Sequence, residues 1–404
     1  LPSDSPTLTH FCDPMGEVIS EPDAMSSLAT KFWSDVWSPP PPNPSSQDRW
    51  FQSYPRKLDP SNLPLPPDVE DMKTSIKNSN NSRCGLDGIP FAVWRNPAII
   101  DEAAFLLHEV FVALSSGQTP PSGFNHSLLF LLPKKSNPKP SDTRPINIPN
   151  TDNRIISHAV KSSLAPCLDQ FLLSPQAAYL PSRKIVDNVL DFNREFCRAR
   201  VKGRMAYLLL LDFRKAFDLV SHSFIHRILN HIGLPEWVCL TVESLLTDLI
   251  SVLAPPLGRG EILVKSGIKQ GCPLSPLIFI IVIDSLVHRL ISVPGTLIRA
   301  FADDIGMVID PNLPSPSYPD MLAHYSLHCT SLHTPLNQIS NIIAEYCLAS
   351  GSSINIDKSI LIPSFLPSNP SSSSRLDCQP KAVSPPSPPL PCRRHRPVDC
   401  QPKA

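Results

Sequence analysis

Arg299-Ala-Phe-Ala-Asp-Asp-Ile-Gly-Met-Val-Ile309 sets two adjacent aspartates inside a run that otherwise reads as buried strand. An ionised carboxylate is expensive to remove from water unless a counter-ion or a metal neutralises it. The pair is therefore either the turn of a hairpin or part of a site. This stretch alone does not separate the two readings.

A second acid does. Ala206–Phe213, AYLLLLDF, is a continuous apolar run of strand length, expected to be buried on both faces, and Asp212 closes it. An acid at the exposed end of a central strand is either a functional group or the cap of the next helix. If strand and hairpin are neighbours in one sheet, Asp212, Asp303 and Asp304 come together. Like charges so placed raise at least one pKa unless Mg²⁺ lies between them. Two metal ions about 3.5–4 Å apart, bridged by carboxylates, are a standard device for in-line phosphoryl transfer. Between the acids, Gly267-Ile-Lys-Gln-Gly-Cys-Pro-Leu-Ser-Pro276 reads as a tight turn entering a helix seeded by Ser275 and Pro276. Such a loop lets a flat base or sugar approach the backbone; its plain alternative is a strand-to-helix connection.

In order, LDFRKAFD (Leu211–Asp218), QGCPLSP (Gln270–Pro276) and FADD (Phe301–Asp304) resemble the palm motifs of reverse transcriptases, most closely those of LINE-type (non-LTR) retrotransposons. CGLDGIP (Cys84–Pro90), LLPKKSNPKPSDTRPINI (Leu131–Ile148), QAAYLPSRKIVDNV (Gln176–Val189) and SGSSINIDKS (Ser350–Ser359) are similar to further motifs of that group. Several motifs in order carry weight that none has alone.

The resemblance implies an α+β fold: the fingers and palm of a right-hand polymerase, with an antiparallel palm sheet backed by helices and the thumb largely missing. It implies RNA-directed DNA polymerase activity on an RNA template and a DNA primer, with dNTPs as substrates and two Mg²⁺ ions, or Mn²⁺, as cofactor. Carried over by position, Asp212, Asp303 and Asp304 would hold the metals. Lys358 would protonate the leaving pyrophosphate as a general acid. Lys134 and Arg144 would meet the triphosphate, one as a point charge and the other as a bidentate fork. Phe217 would pack beneath the incoming sugar and exclude a 2′-hydroxyl, core packing being its plainer role. Gln270 and Gly271 would lie beside the nucleotide and template base, and Arg183 would touch template or nucleotide. An intracellular place, nucleus or cytoplasm, is expected. The alternative is a catalytically silent nucleic-acid-binding remnant of a decayed element.

The chain departs from the family pattern in places. Ala178 stands where the family has glycine, which is expected to tighten the backbone's approach to a template. The stretch from Ile309 to Asn341 is rich in Pro, Ser and His. After Ile362 a low-complexity tail is expected in place of thumb helices, and the upstream endonuclease of such elements is expected to be absent.

The 404 residues suffice for two or three packed units. Lys plus Arg balances Asp plus Glu at 36 each, so net charge points to no polyanionic partner. The balance hides a gradient: residues 1–80 hold eleven acidic against six basic residues, and residues 131–210 hold thirteen basic against six acidic. The middle block could face a polyanion or simply coat a solvated surface. Eleven scattered cysteines without a Cys-x-x-Cys pair fit a reducing compartment. The longest apolar run, Leu277–Leu286, is broken by Asp284 and is too short to span a bilayer, so no membrane association is expected.

Residues 1–66 read as a partly helical extension or linker, with Trp33 and Trp37 one helical turn apart and a polyproline break at Pro39–Pro42. A compact domain is expected over 67–362. Helices are expected at Phe105–Leu114, Asn153–Leu164, Ile185–Arg200, Ser223–Ile232, Trp237–Leu246 and Ser275–Leu290. Strands are expected at Ser127–Pro133 and Ile262–Ile268. Residues 363–404, with eleven prolines, four consecutive serines and a repeated DCQPKA, are expected to be disordered. Cys392, His395 and Cys400 there make a weak metal knuckle without an evident fourth ligand.

Overall fold

The computed structural model of the chain describes residues 8–13, 15–311, 313 and 333–365. The expected disordered tail with its repeat and its Cys/His group lies outside the described residues apart from its first three positions. So does most of the stretch between Ile309 and Asn341.

In chain order the elements are β1 (Phe11–Cys12), β2 (Val18–Ile19), α1 (Pro22–Trp37), α2 (Pro44–Gln52), α3 (Val69–Lys77), α4 (Phe91–Trp94), α5 (Ile100–Ser115), β3 (Ser127–Pro133), β4 (Thr143–Pro149), α6 (Thr151–Phe171) and α7 (Ile185–Val201). There follow β5 (Tyr207–Leu211), α8 (Ala216–Leu219), α9 (His222–Ile232), α10 (Glu236–Leu246), β6 (Ile250–Leu253), β7 (Glu261–Leu263), α11 (Ser275–Ile291), β8 (Thr296–Phe301), β9 (Asp304–Ile309), α12 (His333–Ser350) and β10 (Ile360–Pro363). The architecture is α+β.

Two four-stranded sheets organise it. The first has the order β10-β5-β9-β8 and is antiparallel throughout. The second runs β4-β3-β6-β7, with β3 and β6 parallel and the other pairs antiparallel. Alternate residues of β3 and β4 are buried, as expected of strands with one face on a core. β5 is half-buried along most of its length rather than sealed on both faces. One face lies on the main core through Tyr207 and Leu209, while Leu208 on the other meets only a small cluster with Phe192 and Phe196 of α7. Gly306 of β9 faces that helix, and a Cβ there would come within 2.6 Å of the Phe192 ring. Glycine in this strand lets α7 lie close.

α11 is apolar all round and buried except at Pro276 and Arg289, which makes it the centre of the main core. Its Asp284 is fully buried, accepting a 2.8 Å hydrogen bond from the Tyr54 hydroxyl and a 3.0 Å bond from the Leu173 amide. Ser285 accepts from the Trp50 indole at 3.1 Å. Residues 8–66, read from sequence as extension or linker, are thus tied into the core of the structure. Trp50, Phe51 and Tyr54 belong to the main cluster, and Trp33 and Trp37 of α1 pack with Leu129, Leu131 and Ile262 of the second sheet. The strand expected over Ile262–Ile268 ends at Leu263; the chain beyond is held instead by single contacts, such as the Ser221–Ser266 bridge.

Candidate active site

β5 pairs antiparallel with β9 so that Leu211 faces Ile305, which brings Asp212, the next residue, opposite the β8–β9 turn. Its backbone is fixed on both sides. The Asp212 amide donates to Ser359 Oγ at 3.2 Å, and its carbonyl accepts from the Asn355 amide at 2.7 Å. The segment that holds Asp212 is therefore the one that carries Lys358.

The facing turn is Ala302-Asp303, closed by the Phe301–Asp304 pair. Ala302 adopts φ +55°, a conformation that residues other than glycine avoid and that the surroundings must impose. The imposing group is the fully buried Gln176. Its Oε1 accepts from the Ala302 amide at 2.9 Å and the Ala178 amide at 3.0 Å, and its Nε2 donates to the Ala302 carbonyl at 3.4 Å. Burial raises the Asp303 pKa, the neighbouring Asp304 and Asp212 raise it further, and Arg144 acts the other way. Asp304 opens β9 and is exposed.

A cleft of about 800 Å³ lies between the two sheets' functional edges. Asp212, Asp303, Phe217, Gln270, Lys134, Arg144 and Lys358 all line it. Seven of the ten residues singled out from sequence thus share one cavity. The chemistry is polarised: carboxylates come from the β5 and β8–β9 edge, while Lys134 follows β3 and Arg144 lies on β4. Phe217 lines the cleft and stacks on Phe279 of α11, with ring centroids 4.2 Å apart and planes 18° apart.

The other three lie elsewhere. Arg183 spends all five guanidinium N–H groups on protein: Nε on the Asp169 carboxylate, Nη1 on the Leu173 and Gln176 carbonyls, and Nη2 on the Asp169 and Leu172 carbonyls. It closes the C-terminal end of α6, with every guanidinium N–H bonded to protein. Gly271 is outside the cleft wall. At φ +140° its Cα lies on β4, where a Cβ would come within 1.9 Å of the Asn147 carbonyl, and the Asn147 amide donates to Gln270 O at 2.8 Å. The loop thus lies close against β4. Asp304 is the third.

Among the described residues no group of three or more His, Cys, Asp or Glu side chains is gathered to hold a metal ion. Asp212 and Asp303 nevertheless offer hard oxygen donors on one wall, of the type Mg²⁺ takes, with Asp303 destabilised as an anion by burial and then by its acidic neighbours. That pair fits a divalent cation.

Several residues of the site went unassigned in the sequence. Asp218 is buried, accepts from Trp37 Nε1 at 3.4 Å and from Gln270 Nε2 at 3.2 Å, and is pushed up to about 6 by burial, with Lys215 opposing. It positions Gln270 in the cleft wall. Lys215 and Tyr179 also line the cleft. The signal was present, since Lys215 and Asp218 sit in LDFRKAFD and Gln176 and Tyr179 in the QAAY stretch.

The sequence pattern of the reverse transcriptase (RNA-dependent DNA polymerase) family matches residues 132–365. A 149 kDa protein of transposon TX1 from Xenopus laevis is 26% identical over 72% of this chain and 23% of its own length. The Pol polyprotein of a type-1 R2 retrotransposable element from Popillia japonica is 29% identical over 60% of this chain and 34% of its own. That of the type-2 element R2DM from Drosophila melanogaster is 30% identical over 41% and 16%. The chain spans about a third or less of the length of these relatives.

Proposed function

We propose, from the premise that this chain belongs to the reverse transcriptase family and is similar to the Pol proteins of non-LTR retrotransposons, that it extends a DNA primer on an RNA template. The observation that carries the reading is the polarised cleft, with Asp212 and Asp303 on one wall and Lys134 and Arg144 on the other. In this reading the first sheet with its backing helices is the palm, and the second sheet belongs to the fingers.

The two aspartates would hold the divalent ions that the family uses, and those ions would supply Lewis-acid activation of the primer 3′-hydroxyl and charge neutralisation at the triphosphate. The protein's own groups do the rest. Lys134 and Arg144 bind phosphate oxygens of the dNTP, with Arg144 able to fork across two of them. Phe217 supports the sugar and leaves no room for a 2′-hydroxyl, its ring braced from behind by Phe279. Gln270, anchored on Asp218, presents the edge of the loop to the base pair being formed. Lys358, exposed on the loop that binds the Asp212 backbone, gives a proton to the departing pyrophosphate.

A second reading, a nucleic-acid-binding remnant without activity, is favoured by one observation: no three ligating side chains are gathered among the described residues. Primer extension on poly(rA)/oligo(dT) with Mg²⁺ separates the two. Extension by the unaltered chain that Asp303→Asn abolishes is the expected result. Equal background incorporation by both proteins sinks the polymerase reading, and retained binding of the RNA–DNA hybrid would then favour the remnant.

A further inference from the structure

α1 reaches the cleft through a lysine. Lys215 sits between β5 and α8 at φ +42°, and its Nζ rests 3.9 Å from the centroid of the Trp33 ring and 5.0 Å from that of Phe32. Trp33 is itself fully buried and held against Trp37 with ring centroids 4.7 Å apart, so the platform is rigid. Lys215 lines the same cleft as Lys134, Arg144 and Asp212.

We propose that Lys215, seated on the aromatic platform of α1, is a further contact for the triphosphate of the incoming nucleotide, which makes the N-terminal helix a wall of the nucleotide site. This rests on the polymerase reading. A cation on an indole face gains from the ring quadrupole, yet it has lost part of its water. Burial pushes the Lys215 pKa down to about 8, helped by the neighbouring Lys134 and opposed by Asp218 and Asp142. Asp142 is itself paired with Lys135 at 3.0 Å, and α1 contributes the Phe32 and Trp33 rings. A polyphosphate in the cleft would give both lysines the counter-charge that the protein supplies only in part. The lysine is then held ready, its long side chain already ordered before the nucleotide arrives.

The test is equilibrium titration of the full chain with inorganic tripolyphosphate, in which no chemistry occurs. Lys215→Met is expected to weaken binding about tenfold, the worth of one charge-assisted hydrogen bond, and Lys215→Arg to stay close to the unaltered chain. Between pH 7 and pH 9 the unaltered chain should lose affinity relative to Lys215→Arg, whose guanidinium keeps its charge. Trp33→Phe, which retains a smaller ring, should weaken binding less than Lys215→Met. Thermal unfolding of each variant guards against misfolding. Binding by Lys215→Met as tight as that of the unaltered chain overturns the proposal. So does failure of the unaltered chain to bind, or loss of binding in both Lys215 variants together with a fallen melting temperature. A chain that binds tripolyphosphate through Lys215 yet extends no primer would sink the polymerase reading and leave this phosphate contact standing.

Discussion

The two walls of the cleft are built differently. The acidic wall is fixed through its backbone: Asp212 is bonded at both amide and carbonyl, and the turn bearing Asp303 is clamped by Gln176 in a conformation it would not choose. The basic wall stands on the β3–β4 hairpin, where Arg144 pairs with Leu132 in the ladder and is itself exposed. Carboxylates that must share an ion need positions set beforehand, since reorganisation at the moment of reaction costs rate. Cations that meet a flexible triphosphate can adjust. In the proposed reading, placement matters on one wall and charge on the other.

Four measurements strain that contrast. Asp303→Asn strikes at the centre of the acidic wall and should lower the rate of primer extension on the order of a thousandfold, as removal of a preorganised charge does. Gln176→Ala leaves both acids in place but frees the turn; it should lower kcat by roughly a hundredfold with KM for dTTP nearly unchanged, the signature of lost positioning. A rise in KM instead, with kcat preserved, would break the contrast between the walls. On the basic wall, Arg144→Ala should raise KM for dTTP about tenfold and lower kcat less, with Arg144→Lys recovering part of the loss.

The smallest effect concerns Asp218. Its folded pKa of about 6 lies above the ordinary carboxylate value, so the folded chain holds this proton more tightly than the unfolded one. The stability it contributes is present below the unfolded pKa and is lost as pH rises to about 6. Asp218→Asn should flatten the fall in melting temperature across that window, while activity at pH 7 changes less than about threefold because an amide can keep the Gln270 contact.

Much of this was legible without coordinates. The helix expected at Ile185–Arg200 runs Ile185–Val201, and that expected at Ser275–Leu290 runs Ser275–Ile291, since apolar periodicity over several turns leaves little choice. The strand, the loop and the Asp-Asp hairpin that meet in the cleft were each readable as motifs. Arg183 was not. Its motif position matches the family, but whether an arginine faces ligand or protein depends on which carbonyls surround it, and Asp169, Leu172, Leu173 and Gln176 are brought there by the end of α6. The packing of the segment before Pro67 was hidden for a related reason. Its prolines advertise a linker, while the partners of Trp50 and Tyr54 lie on α11, more than two hundred residues away.

By itself, then, the sequence determined the family, the order of the main elements and the acids worth following, because periodicity and short motifs are local properties of the chain. Tertiary structure alone decided that Asp212 and Asp303 line one cleft, that Gly271 lies against the Asn147 carbonyl, and that Trp33 lies under Lys215. These are contacts between residues distant in sequence, settled by which surfaces the packing of α1 and α11 brings together.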